Sequence, residues 1–445
     1  MIPVIQEARL RNSIRLLLVE RTALPLVHLS FVFRSGANAD PAGKAGLATL
    51  AGDALDAGTP TRTLAAIAEA FDFAGAYYQA SVTHDGTVFS VSTLTTHLEE
   101  MAGVMADLLR NASYPATEVD RLREQRITSF LQQKDRPSHI ASSVFYRTIY
   151  GDIHPYGTES EGNELSLQRI GTEDVASFKS AHIAPGNLLV ACVGDLSMTR
   201  LESIITREFG DWLNPAKTEV PPFPALSTRP PDVLIVDRPG AVQSEIRMGA
   251  IALRRNAPDY QAALVLNRIL GGQFNSRLNA NLREKRGLTY GAWSAFQAYR
   301  SEGPFIAGGA FHTEKTEEAV REILGELERM RESGITEDEH RFAVDSLAGA
   351  YALAFETSGQ VALALQVREL YDMPADTFVT YLSRLRAVTR EDVLRVARTF
   401  LDPATMTTVI VGDAGAILPS VQQAVSVPVR RASPDGDVLT HPSPQ

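Results

Sequence analysis

The sequence repeats itself at a fixed distance, and this repeat constrains the fold more than any other feature. Three short patterns recur 218 or 219 residues later, each beside the same type of predicted element. The pairs are Thr117-Glu118 with Thr336-Glu337 at a helix start, Glu173-Asp174-Val175 with Glu391-Asp392-Val393 in a helix, and Val193-Gly194-Asp195 with Val411-Gly412-Asp413 at a strand end. Because the three offsets agree, we predict two copies of one unit of roughly 210 residues.

A proline-rich stretch separates the two copies. Six prolines lie between Asn214 and Asp232, and proline disrupts helices and central strands, so this stretch is predicted to be a linker. We predict an N-terminal half at 1–213, the linker at 214–232, a C-terminal half at 233–424 and a disordered tail at 425–445. The predicted fold class is α+β, with two homologous halves that face each other across a cleft. Each half is an antiparallel-rich sheet packed by helices, and clefts between domains favour binding sites.

Composition and charge exclude several classes of function. The net charge of −10 argues against a nucleic-acid partner, which requires a basic face. No apolar run reaches the roughly 18 residues of a membrane span. The N-terminus lacks the apolar core of a signal peptide, so the chain as given is expected to be cytoplasmic, or periplasmic if a signal peptide has been removed. Cys192, the single cysteine, lies in an apolar run and is interpreted as a buried structural thiol.

Metal and nucleophile motifs are missing from the sequence. The nine histidines include no pair four residues apart, so no H-x-x-x-H or H-x-x-E-H helix face exists. Gly271-Gly272 lacks the Gly-Lys-Ser/Thr that completes a phosphate loop, and no G-x-S-x-G or C-x-x-C motif occurs. The residues alone therefore predict no independent hydrolase of a familiar type.

The stretch ILGGQFNSRLNANLREKRGLTYGAWS, from Ile269 to Ser294, contains the strongest local pattern. A glycine pair precedes a short predicted helix through Arg283, Gly287 ends that helix, and a strand is predicted to begin at Tyr290. By physical chemistry alone, Arg283 complements a helix dipole and Tyr290 is a half-buried packing residue.

The same stretch is similar to a motif of the pitrilysin-like, or inverzincin, zinc peptidases, which include the insulinase and mitochondrial processing peptidase types. The resemblance runs from Ser13 to about Gly415 and includes the duplicated halves and the His154–Gly157 segment HPYG. In that family the first half carries H-x-x-E-H and a third, glutamate ligand about 77 residues further on. The second half carries an Arg/Tyr pair. The resemblance implies that Arg283 and Tyr290 are catalytic: they bind the substrate backbone and stabilise the oxyanion.

The first half departs from the family at each metal-site position. The histidine positions hold Thr49 and Asp53, the general-base position holds Gly52, and counting 77 residues from Asp53 leads to Phe130. Glycine cannot accept a proton, and one aspartate cannot hold zinc. This departure implies that the chain binds no metal or other cofactor and that zinc is supplied by a partner subunit.

The resemblance therefore predicts a non-catalytic subunit of a heterodimeric zinc peptidase, inactive alone, whose partner is a homologous zinc-bearing subunit and whose substrates are peptides. Two alternatives stay open: a structural scaffold subunit of a larger complex, and a self-contained enzyme with another chemistry. In the family, substrate also adds to a sheet edge, which here corresponds to Gly75, Tyr77, Tyr78, Gln79 and Ala80. Whether this edge is vestigial or still holds part of a peptide is left open.

Overall fold

A computed structural model describes residues 4–213, 222–226 and 230–439, and the strands and helices lie in the first and third of these ranges. The strands in these ranges are β1 (Gln6–Arg9), β2 (Arg15–Glu20), β3 (Leu26–Phe33), β4 (Tyr77–Val82), β5 (Thr87–Leu94), β6 (Leu188–Gly194), β7 (Val233–Asp237), β8 (Gln243–Ile251), β9 (Ala292–Phe296), β10 (Pro304–His312), β11 (Thr407–Gly412) and β12 (Val429–Ala432). The α-helices are α1 (Leu47–Asp53), α2 (Leu64–Phe73), α3 (Leu98–Asn111), α4 (Ala116–Gln133), α5 (Pro137–Tyr150), α6 (Glu164–Leu167), α7 (Thr172–His182), α8 (Met198–Phe209), α9 (Tyr260–Leu270), α10 (Thr316–Ser333), α11 (Glu337–Leu353), α12 (Ser358–Leu370), α13 (Thr377–Ala387), α14 (Arg390–Phe400) and α15 (Ala414–Ala424). A π-helix spans Asn279–Lys285. No helix within the described ranges is long and apolar enough to cross a membrane.

Two six-stranded sheets repeat the same strand order, which confirms the predicted duplication and the α+β class. The first sheet runs β1-β2-β6-β3-β5-β4 and the second runs β12-β7-β11-β8-β10-β9. In each sheet one central pair is parallel, β2 with β6 and β7 with β11, and the next three pairs are antiparallel. β4 and β5 form an antiparallel hairpin that turns at Asp85-Gly86. The two outer strands β1 and β12 break the symmetry.

The central strand β6 shows why each sheet needs cover on both faces. All seven of its residues are buried, as expected for a continuous apolar run. Leu188, Val190 and Cys192 belong to the main core of the first sheet. Their alternates, including Leu189 and Val193, are also buried and therefore lie on the opposite face.

Helix α12 covers that opposite face, although it comes from the C-terminal half of the sequence. It packs against β3 and β6, and Gln366 donates a hydrogen bond of 2.8 Å to the Ser30 hydroxyl on β3. Reciprocally, α5 from the N-terminal half packs against β8 and β11. On β8, Arg247 donates a 3.2 Å hydrogen bond to the Ser142 hydroxyl of α5.

This exchange of helices corrects the predicted domain boundaries. The first compact unit consists of residues 1–131, 159–223 and 352–378, and the second consists of 132–158, 224–351 and 379–445. The predicted halves at 1–213 and 233–424 are therefore not self-contained. The repeat period identified the sheets, but a helix that covers a sheet from elsewhere in the chain leaves no trace in that period.

The C-terminal segment corrects a second prediction. Residues 425–445 were expected to be disordered, yet β12 pairs parallel with β7, and an isolated bridge joins Ala432 to Val438. Val425, Val427 and Val429 pack against the core of the second sheet, so their alternation outweighs the proline content. Residues 440–445 and most of the predicted linker, 214–221 and 227–229, lie outside the described residues.

The helix exchange predicts that a substitution in α12 destabilises the first unit. Leu365 is fully buried and Leu363, on the same helix, is 58% exposed. Leu365→Ala should lower the free energy of unfolding by about 2–4 kcal/mol, because it leaves a cavity. The matched variant Leu363→Ala should change it by less than about 0.5 kcal/mol. Urea titrations of both variants measure the difference, and equal effects would contradict the packing of α12 on this sheet.

Candidate functional site

The stretch from Ile269 to Ser294 begins with a tight loop that requires its two glycines. A Cβ atom on Gly271 would lie 2.4 Å from the backbone nitrogen of Ser294, and one on Gly272 would lie 2.8 Å from the Asn267 carbonyl oxygen. The predicted helix then takes the π form, and Gly287 follows it with a φ of +63°. Strand β9 begins at Ala292, two residues later than predicted.

Arg283 lies on the π-helix and has no strong ionic partner within the described part of the chain. Its guanidinium carbon lies 4.2 Å from the centre of the Phe274 ring, a cation–π contact. Its Nη1 atom is buried and makes no hydrogen bond, and the nearest carboxylate, on Glu284, is 3.6 Å away. A buried donor without an acceptor is costly, and functional sites are where such groups are found.

The neighbouring arginines of the same segment differ from Arg283 in this respect. Arg286 pairs with Glu318 at 3.0 Å and with Glu322 at 2.9 Å. Arg277 pairs with Glu339 at 2.7 Å. These ion pairs hold the residues that flank the π-helix to α10 and α11 and neutralise both cations. Arg283 therefore retains the capacity to bind a carbonyl or another acceptor.

Tyr290 projects into solvent from an anchored turn. Its side chain is 85% exposed, which contradicts the expectation of half-buried packing. The preceding residue Thr289 is buried, and its hydroxyl lies 2.6 Å from the Ala310 carbonyl oxygen on β10. The phenol therefore extends from a fixed backbone and is accessible to a ligand. Phe274, the residue under the Arg283 guanidinium, is also 65% exposed.

The positions that correspond to the family's metal site occupy α1 in the first unit, and their side chains are engaged otherwise. The Thr49 hydroxyl donates a 2.5 Å hydrogen bond to the Ser160 carbonyl oxygen. A Cβ atom on Gly52 would lie 2.6 Å from Cγ2 of Val82, so α1 packs closely against β4 at this point. There is little room at position 52 for a longer side chain.

Asp53 forms an ion pair with Arg126 of α4. Nε of Arg126 donates a hydrogen bond of 2.6 Å to Oδ2 of Asp53, and Nη2 contacts the same oxygen. Burial raises the pKa of the Asp53 carboxyl, and the Arg126 guanidinium opposes that shift. Phe130, the residue reached by counting, is half-buried and lies one turn further along α4.

These residues do not fit a zinc ion. A site of this kind needs three protein ligands that leave one position open, and here the candidates are a hydroxyl, a carboxylate paired with arginine and a phenylalanine. The Arg126 guanidinium already contacts the Asp53 carboxylate, so Coulomb repulsion would oppose a metal ion bound to the same carboxylate. Among the described residues no cluster of three or more His, Cys, Asp or Glu side chains is arranged to hold a metal.

Strand β4, the candidate peptide-binding strand, lies at the edge of the first sheet. Tyr77 and Gln79 are exposed, whereas Tyr78 and Ala80 pack against the core. The Tyr78 ring stacks on Phe71 with centroids 5.2 Å apart, and burial raises the pKa of its phenol well above the ordinary value. The side chains that face solvent are therefore Tyr77 and Gln79. Gly75, with a φ of +56°, precedes the strand.

Three residues of these two sites, Arg126, Phe274 and Asn279, could not be identified from the sequence. Arg126 was hidden because its contact with Asp53 spans 73 residues. Phe274 and Asn279 lie inside the predicted motif. Phe274 packs on the Arg283 guanidinium, and the Asn279 amide bonds both Gln273 and Ala292, but neither contact produces a periodic pattern in the sequence. The predicted residues fall into two groups: Arg283 and Tyr290 in the second unit, and the α1 and β4 residues in the first.

Comparison with known proteins identifies the family. The family model for insulinase (peptidase family M16) matches residues 16–154. The family model for the peptidase M16 inactive domain matches residues 169–347. Together the two matches cover more than two thirds of the chain. The chain belongs to the M16 peptidase family. The matched ranges contain both the degenerate α1 motif and the Arg283/Tyr290 pair.

Individual M16 relatives support the assignment over most of the chain. An uncharacterized zinc protease of Mycobacterium tuberculosis is 28% identical over 85% of this chain and 87% of its own length. The crystal structure of a peptidase M16 inactive domain from Pseudomonas fluorescens has a TM-score of 0.86 at 26% identity and covers 92% of this chain and 98% of that one. A protease from Helicobacter pylori shares the fold at 19% identity, with a TM-score of 0.86 and coverage of 92% and 99%.

Proposed function

We propose that this M16 chain is the non-catalytic subunit of a heterodimeric zinc peptidase and supplies Arg283 and Tyr290 to a homologous, zinc-bearing partner. One contrast carries the proposal. Arg283 keeps a guanidinium without a strong ionic partner, and Tyr290, seven residues further along the chain, is exposed. The metal-site positions, in contrast, hold a hydroxyl, a glycine, a carboxylate paired with Arg126 and a phenylalanine. The chain has thus retained one part of the peptidase site and lost the other.

The proposed roles follow from the chemistry of the two side chains. The partner's zinc would supply Lewis-acid activation of the water and the scissile carbonyl. The planar guanidinium of Arg283 can donate two N–H groups to a substrate carbonyl, a geometry that lysine cannot provide. The exposed phenol of Tyr290 can donate its proton in a hydrogen bond to the oxygen on which negative charge develops. Neither residue needs to change its protonation state.

We propose unfolded peptides as the substrates. The open edge of β4 supports this choice, since an extended peptide can add to an edge strand through main-chain hydrogen bonds. Tyr77 and Gln79 would then contact the peptide from the exposed face. Because such binding depends mainly on main-chain hydrogen bonds, peptides of many different sequences could bind.

Reconstitution tests the proposed function. The chain would be purified alone and together with a homologue from the same organism that contains H-x-x-E-H. The lone chain should lack stoichiometric zinc and should not cleave an unstructured peptide, and the 1:1 complex should contain one zinc and cleave it. Cleavage by the lone chain, or no stable 1:1 complex with any such homologue, would overturn the proposal. Co-purification in a larger assembly without peptidase activity would favour a scaffold role instead.

A further inference from the structure

Asn279 joins the two segments that lead to Arg283 and Tyr290. Its side chain is 7% exposed and lies on the π-helix. The amide nitrogen donates hydrogen bonds of 3.3 Å to the Gln273 carbonyl oxygen and 3.2 Å to the Ser276 hydroxyl. The amide oxygen accepts a 3.0 Å hydrogen bond from the backbone N–H of Ala292. Both donors and the acceptor of one buried amide are therefore used.

Two of these bonds involve segments that lead to Arg283 or Tyr290. Gln273 precedes Phe274, whose ring packs on the Arg283 guanidinium. Ala292 is the first residue of β9, two residues after Tyr290. We call the loop residues Gln273 and Phe274 together with Arg283 the Arg283 arm, and the residues from Tyr290 to Ala292 the Tyr290 arm. The amide nitrogen of Asn279 fixes the Arg283 arm, and the amide oxygen fixes the Tyr290 arm.

The hydrogen bond from Ala292 to Asn279 also affects whether a peptide can add to the outer edge of β9. β9 lies at the edge of the second sheet. The N–H of Ala292 is bound to Asn279, and the N–H of Ser294 donates to the Gly271 carbonyl oxygen at 3.2 Å. Two successive outward N–H groups are therefore taken by the chain's own loop, and this edge positions side chains instead of receiving a peptide.

We infer that Asn279 is a positioning residue for peptide hydrolysis, because it holds the Arg283 arm and the Tyr290 arm in one fixed geometry. The inference rests on the proposed function and extends it. Reacting groups must be held closely, since a misplacement of about 1 Å can cost about 10²-fold in rate. An apolar side chain of the same size would fill the space but would leave the Ala292 N–H and the Gln273 carbonyl without this partner.

The two ends of the amide allow a directional test in the reconstituted complex. Asn279→Asp keeps the acceptor for Ala292 but loses both donors, so it should loosen only the Arg283 arm. We expect kcat/KM to fall by about 10–100-fold, with most of the loss in kcat. In an Arg283→Ala background the same substitution should cost less than about 3-fold, because the arm it positions has gone. In a Tyr290→Phe background its cost should persist.

A neighbouring asparagine provides a matched control. Asn281 is similarly buried on the same π-helix, but its amide bonds Glu322 and Arg286 and neither of the two arms. Asn281→Ala should lower stability and leave kcat/KM within about 3-fold. If Asn281→Ala lowers kcat as much as Asn279→Asp, or if the effects of Asn279→Asp and Arg283→Ala on kcat/KM are additive, Asn279 has only a structural role and the inference is wrong.

A second readout needs no partner and distinguishes a failure of the Asn279 linkage from a failure of the proposed function. In a Trp212→Phe background, Trp293 on β9 is the remaining tryptophan and reports on the Tyr290 arm. Asn279→Ala should increase quenching of Trp293 by acrylamide, whereas Asn279→Asp should not. If only Asn279→Ala increases the quenching but Arg283→Ala leaves kcat/KM of the active complex unchanged, the linkage exists and the proposed function is wrong. If both variants leave quenching unchanged, the linkage itself is refuted.

Discussion

Replacing Arg283 with alanine will lower kcat/KM of the reconstituted peptidase by about 10²-fold, because a substrate whose carbonyl is no longer held can be misplaced by about 1 Å. The reason is that Arg283 is kept without a strong ion pair, so its guanidinium remains available for substrate. Arg283→Lys should restore little, because one ammonium cannot reproduce a planar fork. Tyr290→Phe should cost a similar factor and leave the fold intact, since the phenol is exposed.

The control for this prediction comes from the same helix. Lys285 is an exposed cation two residues from Arg283, and Lys285→Ala should leave kcat/KM nearly unchanged. Peptide cleavage by complexes of equal zinc content measures all four variants. Full activity of both Arg283→Ala and Tyr290→Phe would show that the pair has no part in hydrolysis.

The sheets could be predicted from the sequence because their information is local. Alternating apolar residues define strands, and the repeated VGD strand ends place β6 and β11 in the same position of each sheet. The helices that cover the second face of each sheet could not be assigned in this way. The amphipathic pattern of α12 indicates a helix, but nothing in it identifies β3 and β6 as the surface it packs against.

Only the residues of the candidate site that belong to a contiguous sequence motif could be predicted. The Arg283/Tyr290 spacing is a contiguous pattern, and so is the replacement of ligand residues at Thr49 and Asp53. Arg126 lies between the counted positions Asp53 and Phe130, and counting along the chain passes over it. The pairing depends on the direction of a side chain on α4 and on burial beside α1, which are properties of the folded chain.

The position of the Arg126 guanidinium next to residue 53 predicts that placing the family's ligands in this chain will not create a zinc site. A variant with Thr49→His, Gly52→Glu, Asp53→His and Phe130→Glu should bind no stoichiometric zinc while Arg126 is present. Residues 126 and 130 lie four apart on α4, so a glutamate at 130 can pair with Arg126 instead of a metal. A guanidinium about 4 Å from a dication also costs several kcal/mol at an effective dielectric constant of about 20.

Adding Arg126→Leu to the four substitutions should give up to one zinc per chain, measured by elemental analysis after dialysis and by a zinc-dependent rise in Tm. The matched control adds Arg121→Leu instead, which removes an arginine of α4 that pairs with Glu118 and should leave the variant without zinc. Position 52 sets a further condition, because a glutamate there must displace the Val82 side chain from α1. Stoichiometric zinc in the four-substitution variant with Arg126 intact would contradict the prediction, since the guanidinium would then not exclude the metal.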